Sequence, residues 1–160
     1  MKTWVLRIIL MLQILGLVGL YAYHANIENN GKTYLLECHS VDPRDLLSGD
    51  YIFLRYDISV PPETLSDAGK DRGNVVYVLL HSVGSVWEID EVSPVPPTGD
   101  VPFLKGRING SQIDYGIERY YVPEGKGKYV PGDLRAEIVV QLDGTAQLKR
   151  LYSAGKPWPK

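Results

Sequence analysis

Apolar residues follow two different rhythms along this chain. Near the start, residues 8–12 and 14–22 form an almost unbroken apolar run within residues 3–23. A helix rises 1.5 Å per residue, so a run of that length crosses the roughly 30 Å hydrocarbon core of a bilayer. From Tyr34 onward the rhythm changes to period two, which marks strands with one buried face. The alternation predicts strands over residues 34–39, 51–59, 75–80, 86–92, 103–108, 111–115, 134–142 and 145–152. Asn109-Gly110 and Asp143-Gly144 read as hairpin turns joining the last two pairs. Pro61-Pro62 and Pro94-Val95-Pro96-Pro97 interrupt the pattern as stiff loops. The expectation is one transmembrane helix followed by a mostly β domain, a small antiparallel barrel or sandwich of about eight strands. Its boundaries read as an anchor over 1–25, a polar spacer over 26–33, the β domain over 34–153 and a loose tail over 154–160.

The best-patterned strand follows a sharp turn. Asp42 suits an N-cap, Pro43 the first helical position, and Asp45 the positive end of the turn. Gly49 then permits the chain to reverse. From Tyr51, the side chains of Ile52, Leu54, Tyr56 and Ile58 share a core face, while Tyr51, Phe53, Arg55 and Asp57 share the other. Two aromatics and a charge pair on a half-wet face suit an interaction surface. A second dense block lies at Tyr115-Gly116-Ile117-Glu118-Arg119-Tyr120-Tyr121. Read as a strand, it places Ile117, Arg119 and Tyr121 on one side, and Gly116, Glu118, Tyr120 and Val122 on the other. Glu118 on that apolar side calls for a partner, with Arg44 or Arg55 as candidates, so the two blocks are expected to meet.

Gly49-Asp50-Tyr51, Leu54 and Tyr56 together spell a pattern that resembles the GDYxxLxY family of bacterial and archaeal membrane-anchored proteins. The lead-in Asp42-Pro43-Arg44-Asp45-Leu46, the block from Tyr115 to Gly125, and the order of anchor then outer domain are similar as well. The resemblance implies no catalytic residue. It implies association with a multi-spanning membrane protein. The residues themselves offer a candidate binding surface at Asp42, Arg44, Asp45, Gly49, Asp50, Tyr51, Leu54, Arg55, Tyr56, Tyr115, Glu118, Arg119 and Tyr121.

The amino-terminal run carries its own signals. Lys2 and Arg7 precede it, which favours an inside amino terminus and an extracytoplasmic β domain; the resemblance implies that the membrane is a bacterial or archaeal cytoplasmic one. The stretch Tyr21-Ala22-Tyr23-His24-Ala25-Asn26 lacks small-x-small spacing, so an uncleaved anchor is favoured over a signal peptide. Gln13, Gly16 and Gly19 recur at roughly helical spacing and suit contact with a partner helix.

Composition narrows the chemistry. A formal charge of −2 over 160 residues, without a basic stripe, argues against nucleic acid. The single Cys38 rules out an internal disulfide and reads as a buried thiol. His24, His39 and His81 are scattered, and adjacent Cys38 and His39 point to opposite faces of a strand, so no metal site is expected. Gly125-Lys126-Gly127-Lys128 lacks the spacing of a phosphate loop, and no cofactor is expected. The expected role is a non-catalytic accessory protein docking on a larger membrane complex. The alternative is an envelope Ser/Lys hydrolase. Ser40-Val41-Asp42-Pro43 before Gly49-Asp50 is similar to membrane-anchored signal peptidases, but the spacing is one residue long and no lysine lies on a matching apolar strand.

Overall fold

The structure is a computed structural model that describes residues 3–41, 51–61, 73–123 and 130–159. It divides into two units, Met1–Gly31 and Lys32–Lys160. The first is a single helix, α1 (Thr3–Asn30). It runs into the expected spacer as far as Asn30, because residues 21–30 contain neither Gly nor Pro, and it stops at Gly31.

The second unit is two curled antiparallel sheets. Its strands are β1 (Lys32–Val41), β2 (Tyr51–Tyr56), β3 (Val75–Val83), β4 (Val86–Ser93), β5 (Phe103–Asn109), β6 (Gln112–Asp114), β7 (Arg119–Tyr121), β8 (Leu134–Val140), β9 (Ala146–Ser153) and β10 (Lys156–Trp158). One sheet has the order β10-β9-β8-β1-β2-β7, and the other β4-β3-β5-β6. Both hairpins form, with Ile108 opposite Ile113 across the first and Val140 opposite Ala146 across the second. Gly110 and Gly144 take positive φ in their turns.

The inner faces share one core. Leu36 and Cys38 of β1, Leu54 and Tyr56 of β2, Val78 of β3, Leu104 of β5, Ile138 of β8 and Leu151 of β9 are all fully buried. The sheets are stitched at two seams. At one, Lys105 N–H donates to the Gly144 carbonyl at 2.8 Å, tying the β8–β9 turn to β5. At the other, the second motif block carries the chain from β6 of one sheet to β7 of the other. There Gly106 of β5 leaves space that Ile113 and Tyr115 fill: a Cβ at Gly106 would lie 2.3 Å from Ile113 Cγ2.

Several elements depart from expectation. The strand from Tyr51 ends at Tyr56 and tightens into a 3₁₀ turn over Asp57–Ser59, which buries Ile58 and Ser59 ahead of Pro61. Leu142 does not share a face with Ile138 and Val140. It lies beyond β8 in the turn and is 90% exposed. The tail is not loose, because β10 pairs with β9, placing Pro157 opposite Tyr152. As an edge strand β10 tolerates a proline.

Candidate functional site

The two sequence blocks meet through main chain. β2 and β7 pair antiparallel, with Tyr51 opposite Tyr121, Ile52 opposite Tyr120 and Phe53 opposite Arg119. Just before β7, Leu54 N–H donates to the Glu118 carbonyl at 2.7 Å. Gly116 has a φ of 81°, and regular strand begins only at Arg119. This kink breaks the expected alternation: Ile117 turns into the core, while Arg119 and Tyr121 point out.

Two tyrosines lock the seam. Tyr56 Oη donates to the Ile117 carbonyl at 2.7 Å, and Tyr115 Oη donates to the Ile58 carbonyl. Each block thus sends one buried phenol to a main-chain carbonyl of the other. Burial raises the pKa of both phenols, with Cys38 and Glu118 adding to the effect at Tyr56 and Glu118 at Tyr115. Both therefore stay protonated and able to donate. The Glu118 carboxylate accepts from the Tyr115 N–H, so its described partner is the kink's own main chain, not Arg55. Arg44 lies outside the described residues, as do Asp42, Asp45, Gly49 and Asp50.

The site residues divide by burial. Leu54, Tyr56 and Tyr115 have at most 6% of their surface exposed and present nothing to a partner. Their assignment to a binding surface is corrected, because the inward phase of β2 and the seam hydrogen bonds take them into the core. Tyr51, Arg55, Arg119 and Tyr121 remain on the outer face. There the Tyr51 and Tyr121 rings lie 6.1 Å apart at 54°, and the Arg119 guanidinium carbon sits 6.0 Å from the Tyr51 ring centre. The 70% exposed Tyr121 ring makes this an aromatic and cationic patch on the last strand of its sheet. The seam tyrosines' acceptors, Ile58 and Ile117, escaped sequence reasoning because a carbonyl carries no side-chain signature. Gly106, inside a strand pattern, was the one available hint of close packing.

The other candidate chemistries gain little. Burial pushes the Cys38 thiol up to about 12, with Asp57 and Glu37 adding to the shift, so it stays protonated and unreactive. Ser40 lies opposite Leu54 on β1, while the described ion pairs of lysine join Lys32 to Asp100 and Lys149 to Glu137. Among the described residues, no group of three or more His, Cys, Asp and Glu side chains could hold a metal ion. On α1, a Cβ at Gly16 or Gly19 would meet nothing within 4 Å.

Comparison with known proteins adds one finding. The family described as GDYXXLXY protein matches residues 13–151. No curated protein and no solved structure matches the chain. The match begins inside α1 and takes in both blocks of the seam, and the chain belongs to the GDYXXLXY family.

Proposed function

We propose that this protein is a membrane-anchored, non-catalytic accessory subunit. Its helix stays in the bilayer with the amino terminus inside, and its β unit docks on a polytopic membrane protein from the far side. The observation that carries this reading is the segment Trp4–Ala22, with a mean hydropathy of 2.1 and none of it buried within the chain. So large an apolar surface is stable only when lipid or another helix covers it. Arg7 near the inner end supports the orientation. The Gln13, Gly16 and Gly19 stripe suits a neighbouring helix, since small residues permit close approach and a buried amide gains from a partner. The patch of Tyr51, Arg55, Arg119 and Tyr121 supplies the outer contact, with the residue types enriched at interface anchors.

Native purification followed by mass spectrometry tests the reading, alongside carboxyl-terminal reporter fusions that register only outside the cytosol. The expected result is stoichiometric recovery of a multi-spanning protein. Gln13→Leu combined with Gly16→Ile, and separately Tyr51→Ala combined with Arg119→Ala, should each lower that recovery severalfold. Recovery unaffected by both pairs, or fusions active only in the cytosol, would sink it.

A further inference from the structure

We propose that the cleft between β1, the Asp57–Ser59 turn and β4 is a docking groove for a basic, apolar-flanked peptide segment of a partner protein. The cleft encloses about 440 Å³, a size suited to one or two large side chains. Trp87, Ile89 and Val60 give its lining an apolar part, and Glu37, Asp57, Glu88 and Asp90 are the acidic residues that border it. Trp87 is held in place by Tyr34, whose ring meets it edge-on with centres 4.9 Å apart.

β4 carries a bulge beside this cleft. Leu79 of β3 pairs with Glu91 and the next residue, Leu80, pairs with Ile89, so Asp90 is an extra residue in the ladder. Strict alternation would send Ile89 to the face opposite Glu88 and Asp90. β4 is the last strand of its sheet, and five successive residues, Val86 to Asp90, border the cleft. Bulges of this kind re-aim side chains and occur often beside functional sites.

Charge selects the occupant. Arg135 Nη2 lies 3.3 Å from Glu37, His39 Nε2 lies 3.2 Å from Asp57, and His81 Nδ1 lies 3.9 Å from Asp90. Among the described residues, Glu88 has no ion-pair partner. Among the described residues, the one guanidinium in ion-pair range of these four carboxylates is that of Arg135. A lysine or arginine entering the cleft meets opposite charge and the Trp87 indole in its lining, where cation–π attraction adds to the pairing. Apolar neighbours in the same segment would cover Val60 and Ile89. The inference rests on the docking reading above, but it uses none of the Tyr51, Arg55, Arg119 and Tyr121 patch.

The test is a fluorescence-anisotropy titration of the full chain in neutral-lipid nanodiscs, with empty nanodiscs as the blank. The probe is a short labelled peptide of alternating lysine and leucine, and its glutamate–leucine counterpart is the control. The basic peptide should bind and the acidic one should not. The triple variant Asp57→Asn, Glu88→Gln, Asp90→Asn should weaken binding at least about tenfold, since opposite charges at such sites govern both encounter and retention. Trp87→Leu should weaken it severalfold, and added salt should weaken the wild type more than the triple variant. Should the triple variant fail to fold, the single change Glu88→Gln serves, with a severalfold loss expected. Equal binding of both peptides, or unchanged affinity in the folded charge variants, would overturn the groove. Failure to recover any membrane partner would overturn the docking reading instead, while the titration would still decide the groove.

Discussion

The two faces of β2 come from one contiguous motif, yet they meet opposite demands. Inward, Ile52, Leu54 and Tyr56 are at most 2% exposed, and Tyr56 spends its only polar atom on the Ile117 carbonyl. Outward, Tyr51 and Phe53 are half-covered and Arg55 is exposed, with Arg119 and Tyr121 beside them on β7. The inner face holds the two sheets together. The outer face contributes little that the fold requires and offers the mixed aromatic and cationic surface a partner can use. A family pattern that names Tyr51, Leu54 and Tyr56 therefore mixes a surface residue with two core residues. Its presence alone says more about the fold than about binding.

The largest effect that would break this division comes from the inner face. Leu54→Ala should cost about 2–5 kcal/mol, the range for truncating a fully buried leucine whose neighbours cannot collapse into the space. Chemical denaturation of the β unit, followed by intrinsic fluorescence, measures it. A loss below about 1 kcal/mol would mean that the inner face is not the packed junction described here. Next comes Tyr56→Phe, which keeps the ring and removes the hydrogen bond. The Ile117 carbonyl would be left buried without its donor, at an expected cost of about 1–3 kcal/mol. Tyr115→Phe does the same to the Ile58 carbonyl. Because the two bonds close the same seam, the double variant should depart from the sum of the single ones. Additivity in denaturant midpoints would show that the two tyrosines act separately.

The inner face was legible in the sequence because burial imposes a period, and a period can be read. Ile52, Leu54 and Tyr56 follow it without interruption, as do Tyr34, Leu36 and Cys38 on β1. The hairpins were equally plain, since only a few residue types accept positive φ. What escaped was set by the main chain. The phase flips between Ile117 and Arg119 because Gly116 kinks the chain, and a glycine in a sequence does not announce its dihedral angles. Glu118 asked for a partner and found an adjacent N–H rather than a distant guanidinium. The β4 bulge was hidden for a related reason. Val86, Glu88 and Asp90 alternate cleanly with Trp87, Ile89 and Glu91 in sequence, and only the pairing with β3 reveals the extra residue. The tail misled because Pro157 argues against a strand, although an edge strand that pairs on one side accommodates it.

The smallest stability effect belongs to the outer face, and its smallness is the point. Tyr51→Ala removes half of a tilted ring pair and the surface beneath Arg119. Cross-strand pairs of this kind contribute about 0.2–1 kcal/mol, and an exposed cation over a ring adds about 0.5–1 kcal/mol. The variant should thus stay within about 1 kcal/mol of the wild type, allowing for overlap between the two terms. Arg119→Ala should change stability less, since it leaves the ring pair in place. If the outer face serves a partner, these near-silent changes in stability should be accompanied by severalfold losses in recovery of that partner. Leu54→Ala should lose recovery only in proportion to the fraction unfolded. Plotting partner recovery against folded fraction separates the two cases. Outer-face variants should fall well below the line that inner-face variants define, and a single line through all of them would make the outer face one more part of the scaffold.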